Sequence, residues 1–200
     1  MTTDNSQASI LIIGAAQGIG QAIARTFAAD HYHVILADLS ESVYDTVQQI
    51  RADLPQASLA ALVLDATDLR AVEQLAENIN EFLPDTQQNL QHVVYSAGAG
   101  SGKFGFPFWN MHPDDWKRVF DVNLMGAVNV AHAFSEVLRA NLSVNSAKAV
   151  DSTLLFIASI AGQMGSQTDP PYSAAKAGLI NFMQVVAKDL APFGIRANAI

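Results

Sequence analysis

Ile10-Leu11-Ile12-Ile13-Gly14-Ala15-Ala16-Gln17-Gly18-Ile19-Gly20 decides the fold. Its aliphatic opening is apolar at consecutive positions, as a strand buried on both faces of a parallel sheet requires. The glycines at 14, 18 and 20 then turn the chain into a stretch of helical period. Glycine there permits a tight turn, close approach of backbone to a pyrophosphate and tight helix packing, while the helix N-terminus offers free N–H groups and a partial positive charge. The next apolar run, from His33, ends at Asp38. A carboxylate at that strand end can accept hydrogen bonds from a ribose diol. Asp38 also bears on the choice of dinucleotide. A 2′-phosphate beside it would be repelled by about 4 kcal/mol per charge pair at ~4 Å and an effective dielectric of ~20. Neither Gln17 nor Leu39 supplies a compensating cation. NAD(H) is therefore favoured over NADP(H).

Outward from this unit, short β-branched and aliphatic runs alternate with longer helical stretches. The pattern predicts an α/β fold, a Rossmann-like doubly wound parallel sheet with helices on both faces, three layers in all. Strands are expected near 9–13, 33–37, 59–64, 91–96, 153–159 and 195–200, and helices over roughly 18–29, 41–52, 68–83, 113–140 and 172–192. Pro113 before Asp114 and Asp115 suits a first turn, Pro171 is placed to open the fifth helix, and Gly194 to stop it. Asn141 to Ser152, rich in Ser and Asn, reads as a surface excursion. No repeat or linker interrupts the pattern, so residues 1–200 read as a single dinucleotide-binding domain. The sixth strand begins at Ile195 and the sequence ends at Ile200, without the loop that such a strand feeds in a doubly wound sheet. The expectation is a sheet truncated after its sixth strand.

Composition narrows the function. Half of the 200 residues are hydrophobic, enough for a sizeable core. A net charge of −8 with only 11 basic residues, scattered, disfavours nucleic acid or an acidic membrane face as partner. The apolar runs are too short to span a bilayer, and Met1 to Ser9 lacks a signal pattern. The absence of cysteine removes disulfides, thiolate nucleophiles and cysteine metal sites, and fits a cytoplasmic address. His31 and His33 precede a strand away from the cofactor end and read as a solvated turn, not as metal ligands.

The chemistry is concentrated at Tyr172-Ser173-Ala174-Ala175-Lys176. Residues i and i+4 share a helix face, so an ammonium can sit beneath a phenol and stabilise its ionised form. A free phenol, with a pKa of about 10, is a poor acid/base at neutral pH, and a nearby positive charge lowers that value. Ser159 lies upstream at the end of a predicted strand.

Together these segments resemble the short-chain dehydrogenase/reductase family, and the resemblance covers nearly the whole chain. Gly14, Gly18 and Gly20 match its Gly-x-x-x-Gly-x-Gly loop. Asp65-Ala66 is similar to the family's adenine contact, and Ala97-Gly98 to its Asn-Asn-Ala-Gly turn. Asn123, Ser159, Tyr172 and Lys176 match the catalytic set. Ile13 and Ser96 depart from it, standing where the family often has Thr and Asn. The resemblance implies an NAD(H)-dependent oxidoreductase interconverting an alcohol and a ketone or aldehyde. Ser159 would hold the substrate oxygen, Tyr172 act as general acid/base, Lys176 tune it and anchor the nicotinamide ribose, and Asn123 hold a relay water. It also implies a homodimer or homotetramer paired through the fourth and fifth helices, and a continuation beyond the sixth strand that covers the substrate.

Alternatives remain open. A noncatalytic dinucleotide-binding or regulatory protein would need none of the acid/base set, and an inactive truncated fragment would expose a sheet edge. Phe104, Phe106, Phe108 and Trp109 read as loop packing rather than as a pocket wall. Gln163, Met164 and Gln167 are candidates to touch a small-molecule substrate.

Overall fold

Ile10, Leu11, Ile12 and Ile13 are each 1% exposed or less, because their strand lies at the centre of the molecule. The computed structural model describes residues 8–84, 89–103, 107–144 and 151–200. Within them run β1 (Ser9–Ile13), α1 (Gly18–Ala29), β2 (His33–Asp38), α2 (Val43–Asp53), β3 (Leu59–Val63), α3 (Leu69–Glu77), β4 (His92–Tyr95), α4 (Pro113–Phe120), α5 (Gly126–Val144), β5 (Thr153–Phe156), α6 (Pro170–Leu190) and β6 (Arg196–Ala199). The strands form one six-stranded sheet in the order β3-β2-β1-β4-β5-β6. Every pairing is parallel, with Ile13 opposite Ala37 on one side and Tyr95 on the other. Phe104 and Phe106 lie outside the described residues.

Successive strand residues point to opposite faces. Ile10 and Ile12 therefore pack with Ala24 and Ala28 of α1 and Val47 and Ile50 of α2. Leu11 and Ile13 join the opposite core with Val72, Phe134, Leu138 and Leu179 from α3, α5 and α6. This is the three-layer doubly wound arrangement expected from the alternating runs. Its strand order reverses at β1 and β4, where such sheets place a ligand crevice at the carboxyl ends.

Local departures have local causes. The helix expected over 68–83 ends at Glu77, where Asn78, at φ −106° and ψ 16°, leaves helical geometry and adds its side-chain amide to Gln74 O. A 3₁₀ turn, Ile79–Phe82, follows. The long helix expected over 113–140 is divided by a π turn, Asp121–Met125, between α4 and α5. It also continues to Val144, into the segment expected to be a surface excursion. β5 stops at Phe156 rather than 159, since Ser159 caps a 3₁₀ turn over Ile160–Gly162. α6 starts at Pro170, with Asp169 as its N-cap. Gly194 takes φ +69°, the left-handed conformation that ends the segment. No helix among the described residues is long and apolar enough to cross a membrane.

His33 corrects the solvated-turn reading. It is buried at the start of β2, with Nδ1 2.7 Å from Ser58 Oγ and Nε2 2.7 Å from Phe82 O. A carbonyl can only accept, so Nε2 carries the proton and Nδ1 accepts from the hydroxyl. Burial lowers the His33 pKa, with the Phe82 carbonyl opposing. The ring is a neutral clamp between β2 and the turn after α3.

Candidate active site

The cleft at the strand ends has a volume of about 890 Å³. Gly14, Gln17, Ile19, Asp38 and Leu39 line it, as do Asp65, Ala66, Ala97, Gly98, Tyr172 and Lys176. One continuous space thus joins the glycine loop to the Tyr-Lys pair. Gly18 and Gly20 do not line it: Gly18 is exposed at φ +58°, and Gly20 is buried behind the loop. A Cβ on Gly20 would collide with Gly14 O and lie 2.8 Å from Gly14 C. Gly14 itself has φ +87°, and a Cβ there would lie 2.5 Å from Ala97 N. Glycine is needed at both positions so that the loop can fold against its own helix and against the turn after β4. Gln17, the N-cap of α1, makes no side-chain cap bond, which leaves the helix's first N–H groups facing outward.

Asp38 is held by two backbone donors, Ala16 N and Ser40 N, each at 2.9 Å. Gly14 N and Ala15 N donate to Ala37 O at 2.8 and 3.1 Å, so the loop is fastened to the end of β2 twice. Asp65 accepts from Thr67 N and Thr67 Oγ1 at 2.8 and 2.7 Å, closing the turn after β3. Asn129 of α5 was not singled out from the sequence. Its amide donates to Ala66 O at 3.0 Å and Thr67 O at 3.3 Å, pinning that turn from behind.

Lys176 is 2% exposed, and its Nζ donates to Ile157 O at 2.6 Å. Burial lowers its pKa to about 8. The ammonium lies 5.6 Å from the Tyr172 ring centre, within the range of cation–π attraction. Asn123, fully buried in the π turn, donates from Nδ2 to Ala99 O at 2.6 Å and Val119 O at 2.9 Å. Both partners are carbonyls, so only the NH₂ can face them. Asn123 Oδ1 points the other way and has no hydrogen-bond partner. A Cβ on Gly98 would lie 3.1 Å from that oxygen and 3.7 Å from Lys176 Nζ. The space against Gly98 is therefore addressed by an acceptor and a cation together.

Ser159 is half-buried and does not line the cleft, although Ile157, Ala158 and Ala161 do. Its Oγ accepts from Ala161 N at 3.2 Å, which leaves the hydroxyl hydrogen free to be donated. Ser173 bonds Ala161 O and accepts from Ser166 N at 3.1 Å, fixing the loop between Ser159 and Tyr172 onto α6. Of that loop, Ser166, Thr168 and Asp169 line the cleft, whereas Gln163, Met164 and Gln167 do not. Those three are exposed because Ser173 folds the loop inward at Ser166. Phe108 and Trp109, expected to pack, are 62% and 72% exposed and meet edge to face at 5.3 Å. They line a neighbouring apolar groove.

Asp169 is the site residue that sequence reasoning passed over although a signal was present. It directly precedes Pro170-Pro171, the usual order of N-cap and first helical turn. Buried, it accepts from Ser101 N at 2.8 Å and Tyr172 N at 3.4 Å. It thereby joins the loop after β4 to the helix that carries Tyr172. Arg118 also lines the cleft and donates to Gly100 O at 2.9 Å.

A family model described as short chain dehydrogenase matches residues 8–200. The chain belongs to that family. Short-chain dehydrogenases are oxidoreductases that bind a nicotinamide dinucleotide, which agrees with the cleft. The 3-oxoacyl-[acyl-carrier-protein] reductase of Salmonella typhimurium is 30% identical over 190 residues, covering 95% of this chain and 70% of the relative. Sorbitol-6-phosphate 2-dehydrogenase from Erwinia amylovora superposes with a TM-score of 0.82 at 28% identity, over 96% of this chain and 70% of that one. A short-chain dehydrogenase from Shigella flexneri, solved with NADP, superposes at 0.84 with 24% identity, over 100% and 78% of the two chains. At that identity the last likeness speaks for the fold alone.

Proposed function

We propose that this short-chain dehydrogenase interconverts an alcohol and a ketone or aldehyde with NAD(H), using Tyr172 as the general acid/base. The observation that carries the reading is the unbroken cleft from Gly14 and Asp38 to Tyr172 and Lys176. Its size is within the usual range for ligand pockets. Its loop is shaped by glycines that admit no side chain, and behind Gly98 at its far end lies the buried, unpartnered Asn123 oxygen. Gly14, Gln17, Ile19 and the first N–H groups of α1 would hold the pyrophosphate. Asp38 would take the ribose diol, Asp65 and Ala66 the adenine, and Ala97, Gly98 and Lys176 the nicotinamide half. The bound dinucleotide supplies or accepts the hydride.

Around the reacting carbon the chain's own groups handle the oxygen and the proton. Ser159 Oγ–H donates to the substrate oxygen, where negative charge develops in reduction. In the structure that hydroxyl accepts from Ala161 N outside the cleft, so it keeps its own hydrogen to donate once the side chain turns toward the substrate. Tyr172 gives its proton to the same oxygen, and Lys176 stabilises the charge left on the phenol. The Tyr172 phenolate is then reprotonated from Lys176, which takes its replacement proton from a water that Asn123 Oδ1 would hold against Gly98.

NAD(H) is favoured because the cleft's described cations, Arg118 and Lys176, belong to the end away from Asp38. A 2′-phosphate beside Asp38 would meet a carboxylate without a cation to offset it. Calorimetric titration is expected to give tighter binding of NADH than of NADPH; equal or tighter NADPH binding would reject the assignment. Tyr172→Phe is expected to abolish turnover with NADH affinity nearly unchanged. A variant keeping a tenth or more of wild-type kcat would remove Tyr172 from the acid/base role.

We further take residues 1–200 as one domain working in the cytoplasm, as a homodimer or homotetramer. Met125 and Val185, about half exposed at 46% and 48% on the segments expected to pair subunits, support that assembly. Sedimentation as a monomer at micromolar concentration would refute it.

A further inference from the structure

We infer that Tyr95 is a positioning residue that sets the π turn so that Asn123 Oδ1 addresses Lys176. The inference rests on the proton path proposed above and names what holds its first member in place. The π turn, Asp121–Met125, inserts one residue into an otherwise continuous helix and so changes which way the following side chains point. Such a turn needs something to fix its register. Tyr95, fully buried at the end of β4, donates from its hydroxyl to Val122 O at 2.5 Å. The Val122 carbonyl and the Asn123 N–H belong to one planar peptide unit. Tyr95 therefore anchors the same peptide from which the Asn123 side chain departs.

Two further contacts make this a fitted arrangement. A Cβ on Gly126, one residue past the turn, would collide with the Tyr95 hydroxyl oxygen and lie 3.2 Å from Cζ. Only glycine lets the helix come down onto the phenol. The residue is held at both levels: its side chain is fully buried, and its backbone is paired with Ile13 of β1 and Phe156 of β5. Burial, and secondarily Asp65, raises the Tyr95 pKa well above the ordinary tyrosine value, so the hydroxyl keeps its proton and remains a donor throughout the working pH range. With the peptide held, Asn123 Nδ2 meets Val119 O and Ala99 O, and Oδ1 is left toward Gly98 and Lys176. Without the Tyr95 hydroxyl, the Val122 carbonyl loses the donor that ties it to β4, and the turn is expected to relax.

The test compares Tyr95→Phe, Asn123→Ala, Gly126→Ala and the double variant Tyr95→Phe/Gly126→Ala with wild type. The measurements are NADH affinity, thermal stability, kcat, and the solvent deuterium isotope effect on kcat across pH. Tyr95→Phe is expected to lower kcat roughly tenfold while leaving NADH affinity within about twofold. Its pH profile and isotope effect should change in the same direction as those of Asn123→Ala. Gly126→Ala should be destabilised and slowed, and adding Tyr95→Phe should recover part of both losses, because the colliding atom is gone. Strict additivity of the two substitutions would overturn the inference. So would wild-type kcat and isotope effect in Tyr95→Phe when Asn123→Ala alters both. If Asn123→Ala itself changes neither, the proton path fails and the task assigned to Tyr95 fails with it.

Discussion

Replacing Lys176 by methionine removes a buried charge while keeping the length of the side chain, and the consequence for stability can be worked out. Burial lowers the lysine pKa from 10.5 to about 8, which at ~1.4 kcal/mol for each tenfold amounts to about 3 kcal/mol. The folded-state value is below the unfolded one, so between them the unfolded chain holds the proton and the folded chain has lost it. Stability contributed by this group is therefore lowest below pH 8 and rises as pH climbs from about 8 to 10.5. Lys176→Met abolishes that rise. The variant also leaves Ile157 O without the donor now 2.6 Å away, at a cost of roughly 1–3 kcal/mol. Near pH 7 the two effects oppose, and Lys176→Met should lie within about 2 kcal/mol of wild type in spite of losing a buried hydrogen bond. Urea unfolding of both proteins from pH 7 to 10.5, each carrying Tyr172→Phe so that the phenol facing Lys176 does not titrate, gives the difference directly. The protein with Lys176 should gain about 3 kcal/mol on the methionine variant over that interval. A flat difference would show that the Lys176 ammonium is not desolvated in the folded protein, contrary to its burial against Ile157 O.

Other substitutions probe the frame around the pair. Gly20→Ala should destabilise the protein by about 1–3 kcal/mol and weaken NADH binding, since the new Cβ meets Gly14 O, whereas Gly165→Ala, with nothing within 4 Å, should be neutral in both assays. Asp169→Ala should cost about 1–2 kcal/mol as a lost cap and lower kcat more than NADH affinity, because it frees both Ser101 N and the start of the helix carrying Tyr172. Chemical denaturation and steady-state kinetics check each case.

What the sequence disclosed, and what it withheld, follows from the range of the interactions involved. β1, the glycine loop and Asp38 are legible because their signals are local: an aliphatic run, glycines where the backbone must approach itself, and an acid at a strand end. Tyr172 and Lys176 are legible because one helical turn separates them. The π turn is not, since nothing in Asp121-Val122-Asn123-Leu124-Met125 departs from a helical pattern; it is fixed by Tyr95 reaching across from β4 and by the bare Gly126. Asn129 and Ser173 were hidden for the same reason, as their partners lie in other loops. His33 looked like a turn residue by its neighbours, yet Ser58 and Phe82 enclose it from distant parts of the chain. Ser159 was found by pattern, but its rotation toward Ala161 N rather than into the cleft could be seen only in three dimensions.

Single-turnover hydride transfer tests the central claim most directly. The protein is loaded with NADH, mixed with a panel of ketones and aldehydes, and followed by loss of reduced-nicotinamide fluorescence, with Tyr172→Phe alongside at equal NADH occupancy. Rapid oxidation of bound NADH by at least one carbonyl in wild type, and none on that timescale in the variant, is the expected result. Tight NADH binding without transfer to any of them, or transfer at the wild-type rate in Tyr172→Phe, would contradict the assignment of this cleft as a tyrosine-dependent oxidoreductase site.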